Sequence, residues 1–351
     1  MPALLLRTVG RTNLRLLALL ALLCLAAAPL IGDRLFAPAG LRSMAYQLPE
    51  LGLLSLAMMV ALLSGGLDLS IIATANLAAL AAAAVLKAAP EGASGALLVA
   101  IEAGALLAGL ATAAAVGLLN GTLVGYLRVS PILATLGTMT LVKGLAIGLT
   151  HGSVVSDFPP DILFLGSGAV GGVPMPLLLF GLVALGLGVL LTRTPFGTIL
   201  SLMGSNQQAV RFSGIDTRAA LLRTYMLTSM VAATAGFVMM ARFNSANAAY
   251  GESYLLVTIL ACVLGGISPT GGFGRVGGLV LSLVVLQLIS TACVLLDFSQ
   301  FLTLAIWGGI LLAVSLIGAV RDQLRPLLAT LRAPLPRPAG RQTVDAKGPS
   351  C

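Results

Sequence analysis

Apolar residues crowd into ten stretches of the chain, near 16–32, 48–66, 68–87, 95–127, 131–150, 174–192, 221–241, 254–267, 275–296 and 300–320. Each meets or approaches the roughly 20 residues that a helix needs to cross a hydrocarbon core. The pattern predicts an all-α, polytopic integral membrane protein with about ten transmembrane helices. The 47–87 stretch carries only Glu50, Asp68 and Lys87 as charges, and reads as two helices joined by a tight turn or as one long broken helix. The 254–267 stretch is short, which fits a tilted, interrupted or re-entrant segment. Two connections are longer than the rest, an outer loop at 151–173 and an inner loop at 193–220. The expected organisation is a basic cytoplasmic N-terminus over 1–15, a single membrane domain over 16–320, and a tail over 321–351. That tail holds eight charges and five prolines, which suits a solvated, disordered segment.

Composition strengthens this reading. Hydrophobic residues make up 58% of the 351 positions before the 41 glycines are counted, and charged residues only 9%; soluble domains run at about 45–50% with glycine included and about 25%. No globule of this size could bury so much apolar surface, so the surrounding solvent is largely lipid. A soluble enzyme, a nucleic-acid module and a disordered chain are excluded. The net charge of +8 reports topology instead. With the N-terminus inside, fifteen Lys and Arg fall on the inner side and four, Arg34, Arg42, Lys87 and Arg242, on the outer, with Lys143 within a span. This bias places both termini in the cytoplasm and makes anionic headgroups a partner of the inner face. Three arginines, an apolar run and Ala26-Ala27-Ala28-Pro29 resemble a signal peptide, but the run exceeds the usual length of about 7–15 residues. An uncleaved first helix is expected.

Candidate chemistry is sparse. The cysteines at 24, 262, 293 and 351 form no metal spacing or disulfide framework, and His151 is the single histidine. Leu63-Ser64-Gly65-Gly66 looks like an ABC signature loop, but no P-loop sequence accompanies it, so the chain does not bind ATP by that route. What LSGGLDLS at 63–70 carries is a helix interruption: two glycines free the backbone, and Asp68 or Ser70 can cap the next helix. Broken helices line transporter cavities; an ordinary turn is the equal alternative. Gly265-Gly266 followed by Thr270-Gly271-Gly272-Phe273-Gly274-Arg275 forms a second glycine-rich break. Gly117, Gly121 and Gly125, and likewise Gly144 and Gly148, repeat at four-residue spacing, which suits close helix packing within the subunit. Asn76, Asn120, Thr135, Thr138 and Gln287 are polar residues inside spans, where they act as interhelical glue or as substrate contacts. Lys143 can snorkel outward, and Glu102 lies toward a span end.

The inner loop reads GSNQQAVRFSGI at 204–215. Ser205 or Asn206 can cap a short helix, Ala209, Val210 and Phe212 give it an apolar side, and Gly214 can end it in a left-handed turn. Ile215 would supply the contact after that turn, and Asp216 or Thr217 would cap the next span. Such a helix offers a partner a face; a helix lying on the membrane surface is the alternative.

Taken in order, LSGGLDLS at 63–70, Asn120-Gly121, Ser130-Pro131 leading into TLGTMTLVKG at 135–144, and Pro195-Phe196-Gly197 resemble permeases of bacterial ribose-type ABC importers. So do SNQQAVRFSGI at 205–215, Arg242 to Ala246, and VLGGISPTGG at 263–272. The likeness runs from about 48 to 318, although Ile71-Ile72 stand where small residues or Val-Gly often follow LDLS. The resemblance implies a ten-helix inner-membrane subunit that pairs with a second permease subunit, as a homodimer or a paralogous heterodimer. It also implies an ABC ATPase inside, which binds ATP and Mg while this chain binds no cofactor, and a periplasmic sugar-binding protein outside. It places the coupling helix, the element seated in the ATPase, on Asn206, Gln207, Gln208, Ala209, Val210, Arg211, Phe212 and Ser213, ending at Gly214. Gly65, Gly66, Asp68, Asn76, Asn120, Thr135 and Thr138 become candidates for the translocation path, and Asp157 and Asp161 for binding-protein docking. The implied cargo is a monosaccharide or related polyol; a branched-chain amino-acid-type permease is the alternative. An ion-coupled secondary transporter would rest on Asp68 and Glu102, poor carboxylates for that role, and an intramembrane enzyme on Ser167.

Overall fold

The computed structural model describes residues 11–90, 92, 94–299, 301–314 and 316. The described residues up to Ile310 form one compact unit, and the few described residues from Leu311 on belong to a second. The first ten residues and the expected tail at 321–351 lie outside the described residues. The helices are α1 (Arg11–Leu35), α2 (Pro38–Leu63), α3 (Ile71–Lys87), α4 (Ala96–Gly125), α5 (Pro131–Thr150), α6 (Pro160–Ser167), α7 (Met175–Arg193), α8 (Pro195–Phe212), α9 (Thr217–Phe243), α10 (Tyr254–Leu264) and α11 (Val276–Leu295), with α12 at Phe301–Val314. Four two-residue strands, β1 (Val155–Ser156), β2 (Ala169–Val170), β3 (Val173–Pro174) and β4 (Ser245–Ala246), complete the described elements.

Six helices, α2, α4, α5, α7, α9 and α11, are long and apolar enough to cross a membrane, and four shorter apolar helices lie at Asn13–Pro29, α3, α10 and α12. These match the ten apolar stretches one for one. The 47–87 stretch is two helices with a break between them, not one. Two helices run further than hydropathy indicated: α1 continues through Pro29 to Leu35, and α2 starts at Pro38 and runs through Pro49. Pro38 opens α2 because its missing N–H and fixed φ suit a first turn.

The centre of the bundle is α9, packed against α2, α3, α4 and α6, with α2 also touching α7, α10 and α11. In their most apolar windows α2 and α9 are 78% and 67% buried, against 22–28% for α4, α5 and α7. The first pair is core; the other three turn leucines such as Leu107, Leu133, Leu149, Leu182 and Leu185 outward. Small residues permit this packing. A Cβ on Gly117 would sit 2.7 Å from the Met226 Cα, and one on Gly121 2.8 Å from the Leu222 Cα. The four-residue glycine repeat of α4 is therefore a contact with α9 within the subunit, whereas Gly144 and Gly148 face no described atom within 4 Å.

The 151–173 loop is not bare. It carries α6 and is tied to the end of α9 by an antiparallel pairing of β1 with β4, Val155 opposite Ala246 and Ser156 opposite Ser245. At the same end Arg242 Nη1 lies 2.6 Å from Glu50 Oε1, and Lys87 Nζ donates to the Asp157 carbonyl at 3.2 Å. The opposite end holds Arg128, Arg211 and Arg218 around one cavity. The fold thus collects the basic residues assigned to each side at separate ends.

Candidate functional site

The 193–220 region is more helical than its sequence indicated. Pro195 opens α8, whose Gly197, Leu200 and Met203 are buried, before the backbone breaks at Asn206 with φ −159° and ψ 94°. The break makes Asn206 an N-cap: its Oδ1 accepts from Ala209 N at 3.0 Å. A short second helix follows and ends at Ser213, where Gly214 turns with φ +80° and its N–H donates to the Arg211 carbonyl at 3.1 Å. Ile215 then packs with the cluster of Met203, Val210, Leu221 and Tyr225. Asp216 caps α9 by accepting from Arg218 N and Ala219 N at 2.9 and 3.2 Å. Of the short helix only Val210 is buried; Gln207, Gln208, Ala209, Arg211 and Ser213 are exposed, and Phe212 is 90% exposed. One apolar anchor holds the helix while the rest of its surface is free.

Beneath it, three stretches of backbone meet. The first break (Ser64–Ser70), the residues of α8 just before Asn206, and the loop between α10 and α11 come together at glycines. Gly272 N donates to the Leu63 carbonyl at 3.1 Å. Gly65 and Gly271 have φ +82° and +93°. A Cβ on Gly271 would lie 2.6 Å from the Gly65 Cα and 2.8 Å from the Gly204 Cα. Both conditions, backbone conformation and space, admit only glycine at Gly271. A cavity of about 330 Å³ opens beside this junction, lined by Gly65, Gly66, Arg128, Gln207, Gln208 and Arg211 among others.

Of the path candidates, only Gly65 and Gly66 share this cavity with the short helix. Asp68 is fully buried. It does not cap α3; instead its Oδ1 accepts from Ser70 N at 3.0 Å and Ser70 Oγ at 2.6 Å, and its Oδ2 from Thr228 Oγ1 at 2.8 Å. Asn120 Nδ2 donates to Ser70 Oγ at 2.8 Å. This network joins α4, the first break and α9, and the three donors offset much of the cost of burying a carboxylate. Thr135 Oγ1 lies 2.7 Å from the Pro131 carbonyl of its own helix and 3.2 Å from the Leu67 carbonyl of the break. Thr138 is buried as well. Asn76 stands apart, donating to the Ala248 and Tyr250 carbonyls. It lines a cavity of about 170 Å³ with Lys143 and Glu252. Lys143 does not simply snorkel: its Nζ lies 2.8 Å from Glu252 Oε1. Asp157 and Asp161 are both exposed on the 151–173 segment. Ser167 donates to Leu163 of its own helix, and no group of three or more His, Cys, Asp or Glu able to hold a metal occurs among the described residues.

Sequence reasoning passed over Gly204, Thr228 and Glu252. Gly204 carried a signal, lying just before the Asn206 cap. Thr228 and Glu252 carried none, since their partners are 160 and 109 positions away.

A family model described as branched-chain amino acid transport system / permease component matches residues 40–316. The ribose import permease protein RbsC of Bacillus subtilis (strain 168) is 31% identical over 292 residues, covering 80% of this chain and 84% of the relative. RbsC of Escherichia coli (strain K12) is 32% identical over 272 residues, 76% and 81% of the two chains. The D-allose transport system permease protein AlsC of Escherichia coli (strain K12) is 28% identical over 253 residues, 72% and 75%. No solved structure is significantly similar to this chain.

Proposed function

This chain belongs to the family of permease components of the branched-chain amino acid transport system type, and from that premise we propose that it carries a neutral monosaccharide or related polyol across the bacterial inner membrane. It works as the multi-pass subunit of an ATP-driven importer, paired with a second permease subunit. A periplasmic binding protein delivers the cargo, docking on the side of Asp157 and Asp161. An ABC ATPase binds ATP and Mg on the other side and receives the helix from Asn206 to Ser213; both termini are cytoplasmic.

The observation that carries the mechanical half is the free helix on a rigid base. Its cap at Asn206, its stop at Gly214 and its single anchor at Val210 make a short rod that leaves its exposed side chains for a partner. A push on that rod reaches Gly204 within two residues, and from there both helix breaks, because the three segments touch backbone to backbone. The sugar half is supported by the names of the relatives above and by the chemistry within the spans. Asn76, Asn120, Thr135 and Thr138 give the spans an amide and hydroxyl character that suits a ligand with hydroxyls to satisfy, although Asn76, Asn120 and Thr135 spend their donors on protein groups. The family description names a branched-chain amino acid system, the second reading, but the relatives named for ribose and D-allose favour the sugar over it.

The test is reconstitution of the full chain with its ATPase and binding protein in vesicles. ATP-dependent uptake of D-ribose or D-allose, with no uptake of L-leucine, is the expected result. Leucine uptake without sugar uptake would transfer the chain to the second reading. Single cysteines after Pro90, Asp161 and Asn247 should react with an impermeant reagent from the periplasmic side; protection of any of them would overturn the orientation.

A further inference from the structure

The largest cavity described, about 580 Å³, lies away from the helix breaks, and of the polar span residues that the sequence nominated only Gln287 lines it. It is enclosed by α2, the end of α9, and α10, α11 and α12. We propose that this cavity is a sugar-binding subsite on the translocation path, in which Gln287 and Gln47 hydrogen-bond a neutral monosaccharide whose C–H face stacks on the rings of Tyr254, Phe301 and Trp307. The proposal rests on the reading of the chain as a sugar permease and adds where the sugar sits.

Position argues first. Gln287 is eleven residues into α11, which starts at Val276 beside the second break. At 1.5 Å per residue it stands about 16 Å along α11 from that end, and its partner Gln47 about 24 Å along α2 from Leu63 at the same junction, so the cavity occupies the half of the bundle toward β1 and β4. The cavity does not end there. A neighbouring one of about 500 Å³ shares Phe243, Ser253 and Tyr254 with it and continues to Ser245 and Tyr250. This leads to the end bearing β1 and β4, opposite the Asn206–Ser213 helix.

Chemistry argues second. Among the described residues Arg242 is the only charged one of the lining, and Glu50 answers its charge at 2.6 Å. The lining therefore presents no unbalanced charge to attract an ionic ligand. Gln287 is 6% exposed. Its Nε2 donates to Gln47 Oε1 at 3.1 Å, and Gln47 Nε2 donates in turn to Ser43 Oγ at 2.9 Å. The pair is thus oriented and still has acceptor capacity to spare, and Ser290 and Thr303 add hydroxyls. An apolar wall with a few convergent polar groups, in a volume within about 300–1,000 Å³, is how small-molecule sites are built. Rings beside amides and hydroxyls match a molecule with a C–H face and a hydroxyl rim.

Trp307 is the sole tryptophan of the chain, so the cavity contains its own reporter. The full-length permease in lipid vesicles is titrated with D-ribose and D-allose, and with L-leucine as the zwitterionic control that lacks hydroxyls, following tryptophan emission. The expected result is a saturable change with at least one sugar and none with leucine. Gln287→Leu and Phe301→Ala should each raise the half-saturating concentration about fivefold or more, as expected for one lost contact. Phe301 is 85% exposed, so its truncation leaves the fold intact even where Gln287→Leu does not. In the reconstituted importer both variants should lose uptake while binding-protein-stimulated ATP hydrolysis persists, and Leu182→Ala on the lipid face of α7 should match the parent. No emission change with either sugar, or an equal change with leucine, overturns the subsite. Sugar uptake by Phe301→Ala and Gln287→Leu equal to the parent overturns it too and leaves the sugar-permease reading standing. A parent importer that carries no sugar overturns both.

Discussion

Adding one methyl group at Gly271 should uncouple the two helix breaks from the short helix at Asn206–Ser213. The residue has φ +93°, where an L side chain is strained by roughly 1–2 kcal/mol. Its Cβ would also lie 2.6 Å from the Gly65 Cα, 2.7 Å from the Gly65 N and 2.8 Å from the Gly204 Cα. All three are backbone atoms and cannot rotate away, so the segments must part, at a cost of about 1–3 kcal/mol as for other overpacked sites. The combined effect for Gly271→Ala is about 2–5 kcal/mol. Two further alanines separate the causes. Gly214 has φ +80° but no heavy atom within 4 Å of a built Cβ, so Gly214→Ala should cost only the conformational share, about 1–2 kcal/mol. Gly144 is helical with open space around it, so Gly144→Ala should match the parent or gain up to about 1 kcal/mol. Thermal unfolding of the three solubilised variants gives the ranking, and ATP hydrolysis in the reconstituted importer gives the coupling. Gly271→Ala should be the least stable and should hydrolyse ATP without matching uptake. A Gly271→Ala variant as stable and as tightly coupled as Gly144→Ala would refute the backbone junction as a mechanical link.

Ala209 is exposed on the short helix, so Ala209→Arg should insert and pair normally but lose ATPase binding in a pull-down; full binding would make the segment a membrane-surface helix only. Asp68→Ala leaves Ser70 N and Ser70 Oγ without their acceptor and Thr228 Oγ1 with the Tyr225 carbonyl alone, and should lower stability by about 2–3 kcal/mol, whereas Asp68→Asn, which keeps an oxygen for Ser70, should lose about 1 kcal/mol; equal thermal stabilities would remove the network from the argument. The Lys143–Glu252 pair is 38% and 52% exposed, so Lys143→Met should change unfolding by less than about 1 kcal/mol, and a larger loss would mean that the bridge is shielded from solvent.

The short helix was legible in the sequence almost residue by residue. Asn206 caps, Val210 anchors, Gly214 turns, Ile215 packs and Asp216 starts the next helix. Each of these depends on neighbours within one or two turns. The preceding half of α8 was hidden because its apolar residues are few and hydropathy alone finds no span there. The path candidates fared differently. Asn120 and Asp68 proved to be partners of one network through Ser70, while Asn76 faces the far end of the bundle. Nothing in the local sequence separates these amides, because each is a polar residue in an apolar run.

The sequence by itself determined that the chain lives in lipid, how many apolar helices it has, where they break, and which end collects the basic residues. Those properties follow from hydropathy and capping, which are local, and from charge, which adds along the chain. Tertiary structure alone decided that α2 is core while α7 is lipid-facing, though both are apolar. It decided that Gly65, Gly204 and Gly271 meet, and that Gln47 and Gln287, 240 positions apart, share one cavity. The physical reason is the solvent. In water, a helix advertises its buried face by a polar opposite face; in a bilayer both faces are apolar, and only the packing of small residues and a few hydrogen bonds selects the neighbours.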